Sequence, residues 1–241
     1  MKRTLLLAGL LTGATLHAKA LPTPPASCAA DIAAVGYCST ADAPPFKGAV
    51  DLRFFVVIDK ASFATVDDVL NRYLSFNTWP AFAESTGTED LVFTKSIRMP
   101  TVQVNGTTVY RHYYDYKLKS PIGYQKVRGV TFNSKVAAYP GALASVEFAA
   151  QIQGPQAVPA GEKPLNGVEG VQLQVGSVHA VDCDGRFDFC GNNQYLLMYE
   201  SKIQPDIDLL PKVAAASISK GIEALLVGMW FNNIPVPAAQ D

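Results

Sequence analysis

The sequence has 241 residues, 49% of them hydrophobic and 17% charged, with a formal net charge of −1. That apolar content in a chain of this length is enough for one sizeable core. The weak charge and the lack of any basic run argue against nucleic acid or an anionic membrane surface as the main partner.

The chain begins with Lys2 and Arg3, an apolar run over residues 5–16, and the small-x-small pattern Ala18-Lys19-Ala20. This is the layout of a cleavable export signal, with the cut expected after Ala20. The run is shorter than the roughly 20 apolar residues that cross a bilayer, so no transmembrane segment is expected in the mature chain. Loss of Lys2, Arg3 and Lys19 would take the formal charge from −1 to −4. The expected location is secreted or periplasmic, and the expected division is a signal over 1–20, a Pro/Ala-rich arm over 21–48, one domain over 49–234 and a tail over 235–241. Four cysteines follow the signal, in two sequence-local pairs. An even count in an exported chain predicts the disulfides Cys28–Cys38 and Cys183–Cys190, the second stapling a hairpin end at Asp184-Gly185. Spacings of ten and seven residues do not resemble a zinc site.

Residues 21–48 hold five prolines and little periodicity, and read as an arm rather than core. From Asp51 the pattern changes. Leu52, Phe54, Val56 and Ile58 alternate with polar positions, which predicts a half-buried strand. Ser62 is placed to cap a helix carrying Val66, Val69, Leu70, Tyr73 and Leu74, with Asp67 and Asp68 near its start. Trp79-Pro80-Ala81-Phe82 begins a second short helical piece that ends near Gly87.

A β-rich stretch opens with Leu91, Phe93 and Ile97. Asn105-Gly106 is a two-residue hairpin signal, and with Thr107 it also reads as a glycosylation acceptor. On the next strand Tyr110, His112, Tyr114, Tyr116 and Leu118 share one face, while Arg111, Asp115 and Lys117 take the other together with Tyr113. Further strands are predicted over 125–138, 143–152, 171–182 and 194–203. The Pro- and Gly-rich connection over 154–167 is longer than most hairpin loops. It is expected to be more mobile than its neighbours and to be able to act as a lid over one end of a cavity. A closing helix starts at Pro205-Asp206 or Pro211, carries Val213, Ile218, Ile222, Leu225 and Met229 at helical spacing with Gly221 on the same face, and stops at Asn232-Asn233 and Pro235.

One strand, two short helices, a run of antiparallel strands and a long final helix: this order resembles the START-like superfamily. That superfamily includes START lipid-transfer domains, polyketide cyclases and aromatases, and plant pathogenesis-related allergens. Residues 62–87 resemble its first helical pair and Pro211–Phe231 its final helix, and the likeness covers about residues 51–231. It rests on element order rather than on specific motifs. It implies an α+β helix-grip fold: a curved antiparallel sheet wrapped around a long C-terminal helix, two short helices after the first strand, and a cavity for a hydrophobic ligand between sheet and helix. The export signal, the arm, the paired cysteines and the extra connection depart from the family's usual form. A lipocalin-like barrel is the rival fold. The early helical pair and the absence of a Gly-x-Trp opening stand against it.

Tyr110, His112, Tyr114 and Tyr116 are the candidate ligand wall, since phenols and an imidazole on an apolar face orient a polar tip while the rings give contact area. The bland alternative is an ordinary core face. Trp79 and Phe82 either line the cavity mouth or are plain core. Ile218, Ile222 and Leu225 should face Tyr114 and Tyr116 across the cavity, with Gly221 letting ligand or sheet come close or simply relieving crowding. His112 is either a general acid or base or a structural hydrogen-bonding group. Asp182-Cys183-Asp184-Gly185 with Asp188 faintly resembles a calcium loop, but Asn193 stands at the twelfth position and the segment reads as a hairpin tip. No Gly-x-Ser-x-Gly elbow, His-Glu-x-x-His or phosphate loop is present, and only His112 and His179 follow residue 20.

Three readings follow. The first is an exported, monomeric binding protein for a lipid, sterol or polyketide-like molecule, with no cofactor, metal or nucleic acid. The second is a cyclase- or hydrolase-like enzyme using the same cavity through His112 and nearby tyrosines. The third is a secreted structural or interaction domain whose cavity is closed.

Overall fold

The computed structural model describes residues 20–42, 49–120, 123–137, 139–206 and 211–231. Residues 1–19 of the expected export signal, part of the expected arm (43–48), the expected helix stop at Asn232-Asn233 and Pro235, the expected tail and the side chain of Val213 lie outside the described residues.

The arm is partly built into the fold, contrary to its reading as a segment outside the core. Ala26–Val35 forms helix α1 and Tyr37–Asp42 forms strand β1. Cys28 and Ile32, one helical turn apart, point the same way and are buried. The Cys28–Cys38 disulfide closes with Cα atoms 5.4 Å apart. Together they seat α1 on the outer face of the sheet.

Strand β2 (Val50–Asp59) buries Leu52, Phe54, Val56 and Ile58 on one face, and Phe55 on the other beneath α1. A 3-10 turn then uses Lys60–Ser62, so the cap of helix α2 (Val66–Tyr73) is Thr65 rather than Ser62. Thr65 and Asp68 form a reciprocal capping box, in which the Asp68 carboxylate accepts from the Thr65 amide at 2.9 Å and Thr65 Oγ1 accepts from the Asp68 amide at 3.2 Å. Helix α3 (Trp79–Glu84) has Pro80 in its first turn, where no amide hydrogen is required.

The remaining strands are β3 (Leu91–Val104), β4 (Thr107–Ser120), β5 (Gly123–Val136), β6 (Ala144–Ala150), the short β7 (Pro155–Gln156) and β8 (Leu165–Asn166), β9 (Val171–Asp182) and β10 (Gln194–Pro205). Asn105 and Gly106 both take positive φ, 50° and 78°, as a two-residue hairpin between β3 and β4 requires. One eight-stranded sheet runs β1-β2-β10-β9-β6-β5-β4-β3, with antiparallel neighbours throughout. The two short helices therefore follow the second strand. They carry the chain from β2 near one end of the sheet to β3 at the other. The Cys183–Cys190 disulfide staples the β9–β10 connection, as expected, with Cα atoms 5.7 Å apart.

Helix α4 (Pro211–Phe231) lies in the concave face and touches β1, β2, β3 and β4 as well as α3. Its buried residues include Ile218, Leu225, Leu226 and Met229, which share one core with Leu52, Phe54 and Tyr114 from the sheet. The connection over 154–167 sits on the opposite, outer face. Leu165 and Val158 pack there with Tyr113 and Val130, and the Tyr113 hydroxyl donates to Glu162 Oε2 at 2.8 Å. It is not a lid over the cavity, because those apolar anchors hold it to the far side of the sheet.

Two glycines let α4 approach its neighbours. A Cβ at Gly228 would stand 1.9 Å from the Phe82 carbonyl oxygen, and one at Gly221 would stand 2.8 Å from Leu118 Cδ1. Arg72 then ties α2 to this crossing: its Nε donates to the Met229 carbonyl, and its guanidinium lies 4.9 Å from the centroid of the Phe82 ring. Alanine favours a helix over glycine by about 1 kcal/mol, so a loss of stability on Gly→Ala here reports the contact. Gly228→Ala should lower stability by about 1–3 kcal/mol through overpacking against backbone. Gly221→Ala should cost clearly less, because Leu118 Cδ1 ends a flexible side chain. Chemical denaturation of the two variants beside the parent checks this ordering.

Candidate functional site

The even-numbered residues of β4 point into the concave face. His112, Tyr114 and Tyr116 are buried there and border a cavity of about 30 Å³ between sheet and helix. Ile222, Leu225 and Leu226 of α4 close it from above, while Trp79 of α3 and Phe148 of β6 close its sides. A second space of about 10 Å³ adjoins it, walled by Ile218 of α4 and Ile203 of β10. Tyr116 and Ile222 border both. One water requires about 10–15 Å³, so the larger space holds about two and anything larger must move the walls.

The wall is aromatic because five other elements add rings to those of β4, among them Trp79 of α3 and Phe93 of β3. Tyr73 comes from α2, Phe148 from β6 and Tyr199 from β10. Tyr199 stacks on Phe148 with centroids 5.7 Å apart, Tyr73 lies 6.1 Å from Phe148, and Tyr114 lies 5.5 Å from Tyr116. Four phenols thus border one small space. Burial pushes each above the usual tyrosine range, Tyr199 to about 12. Neighbouring phenols add to the rise: Tyr199 acts on Tyr73 and on Tyr116, and Tyr116 acts on Tyr114. The Tyr114 hydroxyl donates to Gln174 Oε1 at 3.0 Å. The described residues supply no hydrogen bond to the hydroxyls of Tyr73 and Tyr116.

His112 is held on three sides. Its ring stacks on Phe76 at 4.3 Å with planes 4° apart, and Trp79 meets it edge-on at 4.6 Å. Nε2 lies 2.9 Å from Ser96 Oγ, and that hydroxyl gives its one proton to the Phe76 carbonyl. Ser96 must therefore accept, so Nε2 carries the imidazole proton and Nδ1 is the acceptor. This polarity is the reverse of a serine nucleophile activated by a histidine base. Burial lowers the pKa of His112 to about 3, which leaves it a poor proton acceptor at neutral pH.

The other expected residues fall outside the cavity wall. Tyr110 shares the face of Tyr114 but is only half-buried, with Arg98 5.4 Å from its ring centroid. Phe82 lies under Arg72, and Gly221 meets Leu118 and Leu91. Tyr73, Tyr199, Phe148 and Gln174 were not singled out. Tyr73 stood on the apolar stripe of α2, but nothing in the sequence said that α2 and β10 would meet β4 across one space. His179 is wholly buried on the outer face, with Nδ1 2.9 Å from Ser145 Oγ and Nε2 2.9 Å from Ser177 Oγ, which donates in turn to Glu200 Oε1 at 3.0 Å. Both ring nitrogens are engaged, so it reads as structural. Among the described residues no group of three or more His, Cys, Asp or Glu could hold a metal ion.

No protein-family model matches the chain, and no curated protein matches its sequence. Solved structures do match its fold. A STAR-related lipid transfer protein from Xanthomonas axonopodis superposes with a TM-score of 0.54 at 14% identity, covering 88% of this chain and 96% of that one. The lipid transfer and protein localization domain of human StarD13 gives a TM-score of 0.49 at 14% identity, covering 83% and 85%. The Zhui aromatase/cyclase of a Streptomyces species gives 0.42 at 10% identity, covering 76% and 92%. The chain therefore has the START-like helix-grip fold.

The depressed pKa of His112 has a consequence for acid stability. Between the ordinary value of 6.5 and about 3, the unfolded chain binds a proton at this residue and the folded chain does not. Stability contributed by neutral His112 is present above pH 6.5 and lost as pH falls through that window, by up to about 1.4 kcal/mol per pH unit. Denaturant unfolding at pH 7, 6, 5 and 4 should show a shallower acid loss in His112→Gln than in the parent. Parallel curves for the two proteins would contradict the assignment.

Proposed function

We propose that this chain is an exported binding protein for a hydrophobic small molecule, of lipid, sterol or polyketide-like kind, held between the sheet and α4. The observation that carries the reading is the aromatic-walled cavity lying where α4 crosses the concave face. An aliphatic core would bring no hydroxyls to that position. Here rings with polar tips surround a residual space. The fold shared with a STAR-related lipid transfer protein supports the same reading. Two disulfides favour an oxidising compartment, and no described helix is long and apolar enough to cross a membrane. A binding role is preferred to catalysis because His112 gives its proton to Ser96 and takes one up only near pH 3.

The volume of about 30 Å³ means that the cavity opens to take its ligand. Ile222 borders both spaces, so enlarging it should block occupation. Titration with the uncharged fluorophore N-phenyl-1-naphthylamine should show saturable binding to the parent. Ile222→Trp should bind at least tenfold more weakly while remaining folded, with stability lower by about 1–3 kcal/mol. A parent that binds no probe, or a variant that binds as well as the parent, would remove the carrier reading.

A further inference from the structure

We propose that the ligand is uncharged and carries a carbonyl or hydroxyl oxygen, which Tyr73 and Tyr116 grip from inside the cavity. The inference rests on the binding reading above and narrows the ligand class.

Its first support is the composition of the walls. Among the described residues bordering the two spaces there is no Asp, Glu, Lys or Arg. A carboxylate or ammonium brought there would lose its water and meet no opposite charge. The ionisable groups that face the space stay neutral: burial holds the four phenols protonated and His112 unprotonated at neutral pH.

The second support is the hydrogen-bond inventory. A phenol donates one proton. Tyr114 spends its proton on Gln174. Tyr73 and Tyr116 border the cavity, and among the described residues neither hydroxyl has an acceptor. Buried hydroxyls are nearly always paired, so two such donors around one apolar space define a place for an acceptor oxygen. Thr131, whose hydroxyl accepts from Asn133 Nδ2 at 3.2 Å, and Gln174 are the other polar side chains of the first space, and Gln125 that of the second; the remaining lining, His112 and Gly170 aside, is apolar or aromatic and suits a ring or hydrocarbon body. Tyr116 also borders the second space, so a ligand lying in either part meets this residue.

Three probes of one shape separate the possibilities: naphthalene, 2-acetylnaphthalene and 2-naphthoate, titrated calorimetrically into the full chain at pH 7.5. The acetyl compound should bind about five- to tenfold more tightly than naphthalene, as one or two hydrogen bonds from neutral donors allow. It should also bind at least tenfold more tightly than the carboxylate. In the double variant Tyr73→Phe/Tyr116→Phe, which keeps both rings, the ratio of acetyl-compound to naphthalene affinity should fall to about one, whatever the variant's own affinity for naphthalene. Equal binding of 2-naphthoate and 2-acetylnaphthalene, or an acetyl preference that survives in the double variant, would overturn the inference and leave the carrier reading standing. Failure of all three probes to bind the folded parent would overturn both.

Discussion

The crossing of α4 over the sheet is the contact on which the other features depend. A helix of 21 residues is about 30 Å long, and a sheet must curl to cover one. The approach is close only because Gly228 leaves room for the Phe82 carbonyl and Gly221 for Leu118. Polar ties then fasten it at two sides. Arg72 holds the Met229 carbonyl from α2, and Glu223 accepts the Ser39 hydroxyl from β1. Because β1 is joined to α1 by Cys28–Cys38, the N-terminal segment is linked mechanically to the helix on the other side of the sheet.

The space beneath α4 is small because rings fill it. A core built for stability alone would favour aliphatic side chains, which bring no hydroxyl to satisfy. Tyr73, Tyr114, Tyr116 and Tyr199 instead place four hydroxyls in the interior, of which that of Tyr114 is bonded to Gln174. The two histidines show the contrast. His179 has both nitrogens bonded within the sheet's outer face, whereas His112 commits one nitrogen to Ser96 and sits at the cavity wall.

Much of this was legible in the residues and some was not. Strand alternation placed His112, Tyr114 and Tyr116 on one inward face because period two fixes facing without reference to neighbours. Helical spacing did the same for Ile218, Ile222 and Leu225. Tyr110 follows the same alternation yet lies toward the Asn105-Gly106 hairpin, where Arg98 covers its ring. The order of strands was not readable, and with it went Tyr199, Gln174 and Phe148, whose roles come from which strands lie side by side. Ser62, expected as the cap of α2, falls in the turn Lys60–Ser62, and the capping-box pattern Thr65-x-x-Asp68 three residues further on supplies the cap instead. Five prolines hid α1, even though Cys28 and Ile32 stand one helical turn apart.

The strand order has a consequence for the timing of folding. β1 and β2 form one part of the sheet, β9 through β3 the other, and β10 alone joins them. β10 and α4 are also the last described elements of the chain. A nascent polypeptide that has not yet reached β10 therefore has two disconnected sheet fragments and an uncovered concave surface. Completion of the sheet must follow synthesis of all nine strands that precede β10, with the long-range pairings that slow β-rich proteins.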